Sequence, residues 1–158
     1  MIDATIIRAH QDSSRTSEKE AEGFGRSRGG LTSKIHLIVD ALGLPLDFSI
    51  TGGDRHDITQ AVELLKNKQS TYVIGDKGYD SNDLREMVKA SGRTAVIPSR
   101  VCRKTTIQHD AALYKERHLV ETCFCKLKGF RRIGTRYDKT KAMFSSLFTI
   151  ACILLWLK

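Results

Sequence analysis

No two cysteines in this chain stand in C-x-x-C spacing: Cys102, Cys123, Cys125 and Cys152 are scattered, which supports neither a zinc knuckle nor a disulfide framework. Cys123 and Cys125 lie two apart and would point to different faces of a helix, which argues against joint chelation. Reduced thiols in a cytosolic protein are expected. The start, "MIDATIIRAH", lacks the basic stretch and apolar core of a secretory leader. The one long apolar run, "AMFSSLFTIACILLWL" (142–157), holds two serines and a threonine and is shorter than the roughly 20 apolar residues that cross a bilayer. It reads as a buried terminal helix with Trp156 in the core, and no membrane partner is expected. His10, His36, His109 and His118 form no H-E-x-x-H arrangement. There is no internal repeat, low-complexity tract or visible domain boundary in the 158 residues, so a single domain is expected.

Acidic residues are outnumbered, 18 Asp and Glu against 26 Lys and Arg, for a formal net charge of +8. The excess is uneven. Seven basic residues (Lys126, Lys128, Arg131, Arg132, Arg136, Lys139, Lys141) and one acid, Asp138, fall between Lys126 and Lys141. A field of that sign favours polyanions, nucleic acid first.

The order of elements follows from hydrophobic period. Ile2, Ala4 and Ile6 alternate with Asp3 and Thr5, as in a strand. A polar run, "HQDSSRTSEKEAEGFGRSRGG", follows; it is long for a loop and is expected to be mobile or functional. "KIHLIVD" and "PLDFSIT", joined by a Gly43-containing turn, read as a hairpin, so the first three strands form an antiparallel meander. "DITQAVELLKNK" then sets Ile58, Ala61, Val62 and Leu65 at helical spacing behind Asp57 as N-cap. "TYVIGDKGYD" and "TAVIPS" read as buried strands flanking a helix, "SNDLREMVKASG", capped by Ser81 and stopped by Gly92. Two strands linked through a helix make a parallel unit, and the whole predicts a mixed α/β sheet with helices on both faces.

In "YKERHLVETCFCKLKG" (114–129), Tyr114, Arg117, Glu121 and Lys128 fall within about 60° of one another on a helix. Leu119, Val120, Cys123, Phe124 and Leu127 fill the neighbouring apolar face, so the polar stripe borders a buried surface. Taken alone, such a stripe reads first as a solvated face with weak ion pairs, and the rest of the chain must overturn that. Asp3 sits among apolar neighbours, where an ionised carboxylate needs a cation or donors to meet it. Asp76 ends the buried "YVIG" run, the position where ligand sites of such sheets lie. Three carboxylates from separate elements would suit Mg²⁺. "GRSRG" (25–29) fits G-x-S-x-G, but a charged loop precedes Ser27 and a strand-like segment follows, which excludes a nucleophile elbow. Arg26 and Arg28 in that stretch are candidates for contact with a nucleic-acid backbone.

With these residues in view, the chain resembles the DDE transposases of bacterial insertion sequences, in the grouping whose last motif is Y-x2-R-x3-E-x6-K. Tyr114, Arg117, Glu121 and Lys128 match it at every spacing, "IDATIIRAH" and "GDKGYDS" resemble the motifs around the first two catalytic aspartates, and "GRSRGGLTSKIHLIVDALG" and "RRIGTRYDK" resemble the insertion-sequence-five branch. The resemblance implies a ribonuclease H-like fold in which Asp3, Asp76 and Glu121 hold two Mg²⁺ ions, with Mn²⁺ as a substitute. Phosphodiester hydrolysis and strand transfer would proceed by in-line displacement at phosphorus. It further implies transposon-end and target DNA as partners, with Tyr114, Arg117 and Lys128 at the DNA and Arg131 and Arg132 beside them. A homodimeric active complex and a nucleoid-associated, cytoplasmic bacterial setting follow from the same likeness. The family's N-terminal DNA-binding region is expected to be absent here, as in a truncated copy or the second of two frames joined by frameshifting. The alternative to an active enzyme is a catalytically inactive fragment that acts as a DNA-binding or regulatory module.

Overall fold

The structure, a computed structural model, describes residues 1–14 and 18–158. Residues 15–17, in the middle of the long polar run, lie outside the described residues. The meander is present: β1 (Ile2–Ala9), β3 (Gly30–Val39) and β4 (Pro45–Gly52) pair antiparallel, with Asp3 opposite Leu37 and His36 opposite Ser49. The polar run contributes a short strand, β2 (Gly25–Ser27), which folds back on the start of β3. No helix follows Ser27, consistent with excluding a nucleophile elbow. At the other edge β7 (Thr135–Arg136) runs parallel to the end of β1.

β5 (Tyr72–Ile74) and β6 (Thr94–Val96) pair parallel around α2 (Asn82–Ala90), as the strand–helix–strand pattern predicts. They differ from expectation in one respect: their ladder is separate from the five-stranded sheet. The end of β5 closes on the start of β1, where Gly75 packs on Ile2, and the two ladders are separate.

Strand alternation sends the side chains of β3 to two cores. Ile35, Leu37 and Val39 join Ile7, α4 (His118–Lys128), α5 (Arg131–Gly134) and α6 (Lys141–Trp156) on one face. Ile38 and Ile2 join α1 (Ile58–Leu65), α2 and β5 on the other. Helices therefore cover both faces.

Several local expectations change. In α1 Ala61 and Leu65 are buried as expected and Leu64 with them, but Val62 is 44% exposed. Asp57 does not cap α1: its backbone is already helical and its carboxylate instead accepts from Lys34 Nζ at 2.7 Å. The Ser81 hydroxyl does cap α2, accepting from Leu84 N at 3.1 Å. The striped helix is two pieces, α3 (Ala111–Lys115) and α4, because the chain turns at Glu116 and Arg117. α6 is buried along Phe144, Phe148, Ala151, Cys152 and Leu155 only. Trp156, expected in the core, is half exposed and donates its indole N–H to Pro45 O at 2.8 Å. No helix among the described residues is long and apolar enough to cross a membrane.

Candidate active site

Asp3 lies on the β1 face shared with Leu37 and Ile7, the face on which α4 packs. α4 offers its apolar side (Val120, Cys123, Phe124, Leu127) to that core, which leaves its polar stripe along the edge of β1. Arg117, at the start of α4, donates Nη1 to Asp3 Oδ2 at 2.9 Å and Nη2 to Glu121 Oε1 one turn further on. Lys128, at the far end, reaches Ile6 O at 3.4 Å. Tyr114, on α3, packs edge-on against His109 and contributes to the field at Arg117.

Asp76 arrives from the other sheet. A Cβ at Gly75 would lie 3.3 Å from both Ile2 Cγ2 and Tyr79 Cδ2, tighter than a side chain tolerates without its neighbours moving. The missing side chain lets the end of β5 close on the start of β1, so the residues that follow each contact, Asp76 and Asp3, share one region. The Asp76 carboxylate caps the 3-10 turn Lys77–Tyr79, accepting from Gly78 N at 2.8 Å. A side chain at Gly78 would collide with that carboxylate, since its Cβ would fall 2.8 Å from Asp76 Oδ1.

The electrostatics tie the three acids together. Burial raises the Asp3 pKa above the usual carboxylate range, the negative charges of Asp76 and Glu121 push it the same way, and the Ala4 N–H and Arg117 pull it down. For Arg117, burial works against the charge, but Asp3, Glu121, Tyr114 and Asp76 together hold the guanidinium above its ordinary value. One cation thus faces a convergent set of carboxylates.

Among the described residues no three Asp, Glu, His or Cys side chains are already gathered as a metal cage. The guanidinium of Arg117 stands between Asp3 and Glu121, where a cation is needed. The donors themselves are of the hard, anionic kind that Mg²⁺ takes, and Asp3 carries negative charge that its surroundings disfavour, so the residues suit a divalent ion chemically.

The basic residues divide. Lys128, Arg131 and Arg132 are exposed, Arg131 over the Tyr137 ring and Arg132 paired with Asp138. Arg136 is fully buried: it bonds Ser33 Oγ at 2.7 Å and Glu22 O at 2.9 Å, and lies between the Phe24 and Phe144 rings. It staples the sheet to α6 and contributes nothing to a polyanion surface. Arg26, in β2 opposite Leu31, and Arg28, in the turn into β3, are both exposed. Asp3 is aligned with Leu37, about 20 Å along the strand from Leu31. The structure does not bring these two arginines to the carboxylates.

One polar cluster escapes a reading by motif. Asp80, 4% exposed, accepts from Arg85 Nε at 2.8 Å, from Arg103 Nε and Nη2 at 2.9 Å each, and from Arg100 N at 2.8 Å. Burial would raise its pKa, but the bonds from Arg103, the Arg100 amide and Arg85 outweigh that and hold the carboxyl well below the usual range. The one local signal is the i, i+5 pair Asp80 and Arg85 at the start of a helix; Arg103 is 23 residues away and nothing local announces it.

The transposase DDE domain family model matches residues 1–156. A Brucella ovis protein named as a transposase for insertion sequence element IS6501 is 40% identical over 133 residues, covering 81% of this chain and 100% of that protein. A Burkholderia cepacia protein named as a transposase for insertion sequence element IS402 is 29% identical over 142 residues, covering 82% of this chain and 64% of that protein. No solved structure matches. The three motifs, read in order along the chain, and these matches together show that it belongs to the DDE transposases of insertion sequences.

Proposed function

We propose that this chain is the ribonuclease H-like catalytic domain of an insertion-sequence transposase, cutting and rejoining phosphodiesters at the ends of the element. The observation that carries the reading is the convergence of Asp3 from β1, Asp76 from the end of β5 and Glu121 from α4 on one field centred at Arg117. In this reading Asp3, Asp76 and Glu121 hold two Mg²⁺ ions, or Mn²⁺ in their place. The ions would supply Lewis acidity to the attacking hydroxyl and to the leaving oxygen. Arg117 balances Asp3 and Glu121 in the metal-free state and turns to DNA phosphate once they are otherwise neutralised; its forked donors suit that anion. Lys128, beside β1, adds a compact positive charge for the same strand, and Arg131 and Arg132 extend it. Tyr114 orients the DNA or Arg117. The proposal includes a homodimeric active complex, a DNA-binding region supplied from outside these residues, and a cytoplasmic setting at the nucleoid.

Nicking of DNA that carries the element's ends, in the presence of Mg²⁺, tests it. Activity in the wild type that is lost in Glu121→Gln is the expected outcome. A protein that shifts DNA but neither nicks it nor responds to Mg²⁺ or Mn²⁺ is instead the inactive DNA-binding fragment.

A further inference from the structure

Beyond the carboxylates, the segment that follows β6 forms a recess of about 470 Å³ lined by Asp80, Ser81, Asn82, Arg100, Cys102, Arg103, Lys104 and Thr105. Its charge is strongly positive. Asp80 contributes one negative charge, already taken up by Arg85 and Arg103, so Arg100 and Lys104 face the opening as uncompensated exposed cations. Arg103 is itself fixed: besides Asp80 it donates Nη1 to Asn82 Oδ1 at 2.8 Å. Arg100 is tied to the candidate catalytic loop, donating Nε to Lys77 O at 3.0 Å and Nη2 to Gly78 O at 2.5 Å. Those carbonyls belong to the turn that Asp76 caps, so the wall of the recess is one hydrogen bond removed from a proposed metal ligand.

We infer that this recess is a second phosphate-binding subsite, in which Arg100 and Lys104 hold the DNA backbone on the Asp76 side of the carboxylates, opposite the α4 side that carries Lys128. The inference rests on the transposase reading of the same site. Three features favour a backbone phosphate. Arg100 is preorganised, its amide bonded to buried Asp80 and its guanidinium to Lys77 O and Gly78 O, which lowers the ordering cost of binding. Guanidinium and ammonium groups are the usual partners of phosphate oxygens. The recess adjoins, through Arg100, the Lys77–Tyr79 turn that Asp76 caps. Because Arg100 bridges the recess and the Lys77–Tyr79 turn, strand binding there also steadies the Asp76 carboxylate.

The full chain and a short random-sequence DNA duplex provide the test, with affinity measured across a salt series. Lys104→Ala, an exposed position whose loss leaves the fold intact, is expected to weaken binding several-fold and to reduce the slope of log affinity against log salt by about 1. Lys128→Ala is expected to do the same from the other side. Cys102 lines the recess and is exposed, so its alkylation should slow when the duplex is bound. Inorganic phosphate at matched ionic strength should slow it much less than the duplex does. If Lys128→Ala weakens binding while Lys104→Ala changes neither affinity nor slope and Cys102 reacts at one rate with or without DNA, the subsite is refuted and the transposase reading stands. Protection of Cys102 by inorganic phosphate as strong as that by the duplex makes the recess a free-anion site and refutes the backbone assignment. A wild type that fails to bind the duplex at low salt removes both.

Discussion

Asp3 and Asp80 each meet arginine side chains, and the two meetings differ in almost every physical respect. Asp80 is 4% exposed, is gripped by two guanidinium groups and a backbone amide, and has its pKa held far down. Asp3 shares one guanidinium with Glu121, lies at the rim, and has its pKa raised by burial and by neighbouring acids. The first arrangement suits a permanent fastening. The second leaves carboxylates under-neutralised and so ready to change partner, as expected of a site that takes up a cation. The two aspartates flank the same segment of chain, with Asp76 and its turn beside Asp80, so the rigid cluster supports the adaptable one.

Stability separates them most widely. Asp80→Ala leaves Arg85 and Arg103 without their buried partner and should cost about 3–5 kcal/mol in urea unfolding. Asp3→Asn, measured without metal, should leave stability unchanged or raise it, because a raised carboxyl pKa means that the ionised form is disfavoured by the fold. Equal losses at the two positions would erase the distinction.

Next in size is the response to metal. Mg²⁺ at about 100 times its dissociation constant should stabilise the wild type by about 2.7 kcal/mol, read as a rise in Tm. Glu121→Gln should show no such rise.

Acid provides a finer separation. Because the folded pKa of Asp80 is depressed, its stabilisation is complete above the unfolded value, near 3.9, and is lost as pH falls below it toward the folded value. Stability against pH below about 4 should therefore fall less steeply in Asp80→Asn than in the wild type.

The smallest effect is at the helix starts. Ser81→Ala removes an observed cap and should cost about 1 kcal/mol. Asp57→Ala removes a partly buried pair with Lys34 and no cap, and its cost, unlike that of the cap, should shrink in high salt.

The same division marks what could be read from sequence. Local patterns carried the meander, the helix between β5 and β6, its Ser81 cap, and the stripe from Tyr114 to Lys128, because alternation, capping and helical spacing are set by neighbours within a few residues. Where two long-range partners decide, the pattern was silent. Asp57 lies where an N-cap would, and only folding brings Lys34 to it. Arg136 falls in a run of surface-like charges, yet two aromatic rings and several carbonyls gather around it from distant segments. The break at Glu116 and Arg117 has no Gly or Pro to announce it; Arg117 keeps helical backbone angles, and its i,i+4 pair with Glu121 is local, but only folding brings Asp3 to its other nitrogen. Trp156 continues an apolar run, but the sheet covers only one side of α6.

Whether these three carboxylates bind divalent metal is most directly read by titrating metal-free protein with Mn²⁺ and following the free ion by electron paramagnetic resonance. Saturable binding in the wild type, weakened tenfold or more by each of Asp3→Asn, Asp76→Asn and Glu121→Gln, is the expected result. Binding that is absent, or that persists unchanged through all three substitutions, would show that these side chains do not form a metal site.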